Sequence, residues 1–132
     1  MVLRIPERIP DPKAINAPAA ISLAEKVFGE LGLSVRERIQ ILDVSRSTYD
    51  GWRKNAPNKL SRHQIEALGC VYGIYDNSVA LFGSLENVKH FLDTPDSERP
   101  FNGKTPRATM TSGLLGDLSA VFHWLLAKAQ GF

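Results

Sequence analysis

Apolar residues recur at helical spacing along most of this chain, and no alternating run of apolar and polar residues predicts a strand. Residues 1–17 differ from the rest because they carry three prolines and lack an apolar face. We therefore expect a flexible N-terminal arm at residues 1–17 and an all-α fold after it. The apolar pattern predicts helices over residues 18–31, 35–42, 46–54, 62–73, 76–82, 85–92 and 114–130.

Residues 34–54 carry the strongest functional signal, because they predict two helices joined by a turn of a few residues. Asp43 stands in this turn at a position where glycine is usual, and Asp adopts the left-handed backbone more readily than most residues. Ser45 can cap the second helix. Tyr49 and Trp52 lie three residues apart, so they share one face and can anchor the helix to the core. The pattern is typical of a helix-turn-helix, whose second helix enters the major groove of DNA.

The positive charge of the chain is concentrated around these two helices. The whole sequence has a formal net charge of +2, but residues 34–63 carry seven Lys or Arg against three Asp or Glu. Residues 64–132 carry five against seven. A local excess of positive charge favours contact with phosphate groups, and Arg, Ser and Thr can also bind base edges. The candidate DNA-binding residues are Ser45, Arg46, Ser47, Thr48, Asp50, Arg53, Lys54, Lys59 and Arg62.

Catalytic and membrane functions find little support in the residues. His63, His90 and His123 have no second ligand at metal spacing, and the single cysteine, Cys70, has no disulfide partner. We therefore expect no enzyme activity, no metal and no cofactor. No stretch approaches the roughly 20 apolar residues that span a bilayer, and the N-terminus lacks the apolar core of a secretory signal. We expect a cytoplasmic protein without a membrane partner.

Three segments of the second half occur in an order that is found in a known family. They are VALFGSLENVKHFLDTP at residues 79–95, FNGKTPRATM at residues 101–110, and a final apolar helix. The recurring elements are Phe82 with Gly83, Leu92 with Thr94 and Pro95, and the Gly103–Pro106 turn. In these features the chain resembles Xre/MbcA/ParS-type antitoxins, which carry a helix-turn-helix followed by a toxin-binding domain. The resemblance spans about residues 19–131.

The resemblance implies different functions for the two halves of the chain. Residues 18–75 would form a helix-turn-helix DNA-binding domain, and residues 76–132 a helical domain for partner binding and dimerisation. The expected partner is a RES-domain toxin that consumes NAD and whose active site the antitoxin covers. The antitoxin would also repress its own operon, as a homodimer on an operator with an inverted repeat. The residues expected to contact the toxin are Asn102, Gly103, Lys104, Thr105, Arg107, Lys128, Gln130 and Phe132.

Two alternatives stay open at this stage. The chain could be a stand-alone helix-turn-helix transcriptional regulator whose C-terminal half only dimerises. It could also be an adaptor that binds protein and never DNA, in which case the basic face of the second helix would have no ligand.

Overall fold

The structure is a computed structural model that describes residues 16–131. Within that range the protein is all-helical, as the sequence predicts, and contains no strand. The predicted arm at residues 1–17 lies outside the described residues except for Asn16, which caps the first helix, and Ala17, which begins it. The helices are α1 (Ala17–Glu30), α2 (Val35–Leu42), α3 (Arg46–Lys54), α4 (Arg62–Phe82), α5 (Leu85–Leu92), α6 (Pro106–Met110) and α7 (Leu115–Ala129).

Polar side chains fix where most of these helices begin. In each case the side-chain oxygen accepts a hydrogen bond from the backbone N–H three residues later, which satisfies a donor that the first helical turn leaves free. In the described part of the chain, α7 alone begins without such a bond. The capping residues are Asn16, Ser34, Ser45, Ser61, Ser84 and Thr105.

The longest helix, α4, corrects the prediction of two separate helices. The pattern predicted an end near Gly73 and a new helix from Asp76, but α4 runs without a break from Arg62 to Phe82. Gly73 lies instead where α4 crosses α7, and the Phe122 ring occupies the space that a β-carbon would need. The boundary predicted between residues 75 and 76 therefore falls inside a helix.

One cluster of buried side chains joins both halves of the chain. It includes Phe28 from α1, Leu42 from α2, Tyr49 from α3, Tyr75 from α4 and Leu125 from α7. Helix α4 packs against α1 and α2 from the first half of the chain and against α5 and α7 from the second half. The segments on either side of residue 75 thus share one core, and α4 is the element that connects them.

Candidate functional site

The turn between α2 and α3 has the backbone geometry that the sequence predicts. Asp43 adopts φ 54° and ψ 52°, which is the left-handed region. The backbone N–H of Asp43 donates to the carbonyl of Ile39 and so closes the end of α2. Ser45 Oγ accepts from the Thr48 N–H at 3.0 Å and begins α3. Only three residues separate the two helices, so the turn restricts the direction in which α3 leaves α2.

Side chains from α4 bind the C-terminal end of α2. His63 Nε2 lies 3.3 Å from the carbonyl oxygen of Ile41, and Gln64 Nε2 donates to the carbonyl of Leu42 at 3.3 Å. Both carbonyls belong to the last turn of α2 and therefore lack a backbone N–H donor within that helix. Sequence reasoning missed this contact, which assigns His63 a structural role in holding α2 against α4.

Helix α3 has one buried side and one exposed side. Tyr49 is 1% exposed, and Trp52 is partly buried against the core, as their spacing predicts. Arg46 Nε lies 3.3 Å from Asp50 Oδ1, but these side chains are 67% and 50% exposed, so the ion pair is weak and leaves the guanidinium accessible. The exposed side carries six candidate DNA-binding residues, which are Arg46, Ser47, Thr48, Asp50, Arg53 and Lys54.

Exposed cations also stand on the segments next to α3. Lys59 lies in the connection to α4, and Arg62 begins α4 with a side chain that is 90% exposed. Arg36, which sequence reasoning did not single out, is exposed on α2, four residues before the exposed Gln40. Its position could have been recognised from the helical spacing, because positions 36 and 40 lie off the stripe formed by the apolar positions 35, 39 and 42.

The turn before α6 carries most of the residues that the resemblance places at the toxin. Its ends are joined by two backbone hydrogen bonds, from Asp96 N–H to Lys104 O at 3.1 Å and from Gly103 N–H to Asp96 O at 2.7 Å. Asn102 and Gly103 have φ of 52° and 90°, so the chain turns sharply there. Asn102, Gly103 and Lys104 are exposed, whereas the Thr105 side chain caps α6. The turn is therefore an ordered and accessible projection.

The end of α7 lies beside this turn. Lys128 Nζ is 3.5 Å from Glu98 Oε1 and 5.3 Å from the ring centroid of Trp124. Gln130 is exposed, and Phe132 lies outside the described residues. The structure thus brings together two segments that are far apart in the sequence, namely the turn at residues 98–104 and the last turn of α7. We call these two segments the C-terminal surface.

An aromatic cluster supports the C-terminal surface, and sequence reasoning missed it. The Phe91 ring stacks between Phe82 and Trp124, with centroid separations of 4.8 Å and 5.6 Å. Phe101 is fully buried and meets Trp124 edge-on at 5.1 Å. Offset and edge-on arrangements of this kind are the preferred geometries of aromatic pairs. The cluster therefore fixes the turn against α5 and α7 and makes it a rigid feature.

Arg107 has a different environment from the other residues expected at the toxin. Its side chain is only 19% exposed, and its Nε donates to Asp93 Oδ1 at 2.6 Å. Its two terminal nitrogens donate to the carbonyls of Gly32 at 3.1 Å and Leu31 at 3.4 Å. One of them also lies 3.5 Å from Glu37 Oε1 on α2. Arg107 thus joins α6 to the ends of α1 and α5 and to the first turn of α2.

The remaining groups of chemical interest are the histidines and the single cysteine. Within residues 16–131 no group of three or more His, Cys, Asp or Glu side chains could hold a metal ion, and no helix there combines the length and apolar character needed to cross a membrane. Burial raises the pKa of the Cys70 thiol, which keeps it in its less reactive protonated form. A scan of protein-family models finds no match to this chain, and a search of curated proteins finds no significant relative.

Proposed function

We propose that this chain is the antitoxin of a toxin–antitoxin pair. In this proposal, α3 binds an operator in the promoter of its own operon, and the C-terminal surface binds a RES-domain, NAD-consuming toxin. The DNA-binding part of the proposal rests on the two faces of α3, of which one is buried and the other is exposed. Tyr49 anchors α3 to the core, while Arg46, Ser47 and Arg53 are exposed to solvent on the opposite side. A helix that enters the major groove needs this division between an anchored face and a polar face.

The C-terminal surface supports the second part of the proposal. The resemblance to Xre/MbcA/ParS-type antitoxins points to the 102–107 turn and the end of α7 as the contact with the toxin. The start of the 98–104 turn, at Glu98, lies beside the end of α7 through the Glu98–Lys128 ion pair, although no local pattern in the sequence joins the two segments. A rigid exposed turn loses little conformational freedom when it binds, which favours its use in recognition.

DNA binding is tested by titrating the protein with a duplex from the region upstream of its own gene and with a scrambled duplex of equal length. We expect Arg46→Ala to weaken binding to the first duplex by about 1–3 kcal/mol and to relax the preference at one base position. Arg53→Ala should weaken both duplexes similarly and make the salt dependence shallower by about one unit of slope. Lys89→Ala, which removes an exposed cation on α5, is the matched control and should change neither property.

The assembly on DNA follows from the number of helices that one chain presents. A single chain offers one copy of α3, so recognition of an inverted repeat requires two chains. We therefore expect two chains per operator in a stoichiometric titration. Equal affinity for the upstream and scrambled duplexes at all salt concentrations would refute the DNA-binding part of the proposal.

Toxin binding is tested by co-expressing the chain with the product of the neighbouring gene. We expect the two proteins to copurify, and the antitoxin to restore growth and the cellular NAD level. Lys104→Glu reverses an exposed charge on the turn and should weaken this protection, whereas Lys89→Glu makes the same change on α5 and should not. If both variants lose protection equally, or if both keep it, the assignment of the C-terminal surface to toxin binding is contradicted. Absence of any complex would favour a stand-alone regulator.

A further inference from the structure

Helix α3 is held to the rest of the protein by few side chains. It is nine residues long, and Tyr49 is its one fully buried residue. Trp52 is partly buried, and most of the other side chains of the helix point to solvent. The short connection at residues 43–45 restricts the direction of α3, and side-chain contacts set the tilt that remains free within that range. The environment of Tyr49 therefore decides how α3 lies on the core.

The hydroxyl of Tyr49 is bound by two charged residues from two other helices. It donates to Glu25 Oε1 on α1 at 2.5 Å and accepts from Arg38 Nη1 on α2 at 3.4 Å. Arg38 Nη1 also donates to Glu25 Oε2 at 2.9 Å, so the three side chains form a closed network. Arg38 Nε is in turn held by the carbonyl of Leu33 at 3.0 Å. Each member of the network is thereby fixed by at least two contacts.

We propose that the Glu25–Arg38–Tyr49 network is the positioning device that sets the tilt of α3 for base-specific contact with DNA. This inference rests on the DNA binding proposed above. A helix of nine residues is about 13 Å long. If it tilted by about 10° about one end, its other end would move sideways by about 2 Å. Hydrogen bonds to base edges tolerate only a few tenths of an ångström, whereas attraction to phosphates falls off slowly with distance. Loss of the network should therefore reduce specific binding more than nonspecific binding.

Tyr49→Phe tests this directly, because it keeps the buried ring and removes only the hydroxyl. Tyr72→Phe is a matched control, since the Tyr72 hydroxyl also ties α1 to a neighbouring helix, through the Ala20 carbonyl at 2.8 Å, but does not contact α3. The affinities for the upstream and scrambled duplexes are measured by fluorescence anisotropy at a temperature where circular dichroism shows both variants folded. We expect Tyr49→Phe to lower the ratio of the two affinities at least about fivefold, and Tyr72→Phe to leave it unchanged.

A second pair of variants keeps the test decisive if Tyr49→Phe does not fold. Glu25→Gln retains an oxygen acceptor for the hydroxyl and should preserve most of the discrimination, whereas Glu25→Leu should lose it. Two outcomes overturn this inference but leave the proposed DNA binding intact. One is an equal reduction of the affinity ratio in Tyr49→Phe and Tyr72→Phe. The other is an unchanged affinity ratio in Tyr49→Phe and Glu25→Leu. A wild-type protein that does not prefer the upstream duplex overturns the proposed DNA binding and this inference with it.

Discussion

Replacing Gly73 with alanine tests the packing of α4 on α7. An ideal β-carbon at Gly73 would lie 2.2 Å from Phe122 Cε1 and 2.4 Å from Phe122 Cδ1. Nonbonded carbon atoms prefer about 3.5–4.0 Å, so the ring would have to move by more than about 1 Å. Overpacking of this kind costs about 1–3 kcal/mol, and the better helix propensity of alanine offsets about 1 kcal/mol. We expect Gly73→Ala to lower the free energy of unfolding by up to about 2 kcal/mol.

The assay is denaturant unfolding followed by circular dichroism, with a double-mutant cycle through Phe122→Ala. Once the ring is removed, Gly73→Ala should raise the free energy of unfolding by up to about 1 kcal/mol, so the sign of its effect reverses. Gly51→Ala is the control, because it changes a helical glycine whose β-carbon would meet nothing within 4 Å and should be stabilising. If Gly73→Ala stabilises the wild-type chain as Gly51→Ala does, the described contact between α4 and α7 is refuted.

Three further changes probe other parts of the fold by denaturant unfolding. Arg107→Met should lower the free energy of unfolding by about 1–3 kcal/mol, because two backbone carbonyls and Asp93 lose their donor, and Arg107→Lys should restore only part of the loss. Asp43→Gly should raise it by up to about 1 kcal/mol, because a φ of 54° is easier for glycine. Burial raises the pKa of Tyr72 to about 12, above its value of about 10 in an unfolded chain. Between pH 10 and 12 the Tyr72 hydroxyl therefore stays protonated in the folded state and ionises in the unfolded state. The free energy of unfolding should fall by up to about 3 kcal/mol over this pH range. This part of the decline should be absent in Tyr72→Phe.

Local chemistry explains why the helix limits could be predicted from the sequence. Ser45 accepts a hydrogen bond from the backbone N–H of Thr48, three residues later, so the sequence signal and its structural effect lie in the same short segment. The same holds for Asp43, whose tolerance of the left-handed region is a property of the residue itself. The exposure of the polar face of α3 was also predictable, because Tyr49 and Trp52 mark the opposite face by their spacing.

Contacts between distant segments explain what the sequence pattern did not predict. Glycine commonly ends helices, so an end near Gly73 was a reasonable prediction, yet the packing of Phe122 makes glycine the residue that a continuous helix needs there. Arg107, in the first turn of α6, finds its partners at Gly32 after α1, at Glu37 on α2 and at Asp93 after α5, and no pattern near residue 107 indicates them. Helical periodicity reports which face is buried, but it does not report which side chain lies across the interface.

The two candidate surfaces are connected through the same core, and this affects how each can act. Helix α4 holds the end of α2 through His63 and Gln64 and packs against α7 further along, at Gly73. Arg107 forms a second connection, because its guanidinium lies next to Glu37 in the first turn of α2 while its backbone follows the exposed turn. A partner that displaced the turn would therefore strain contacts that hold the helix before α3. Close packing transmits such strain, so the exposed side of α3 and the C-terminal surface are mechanically coupled.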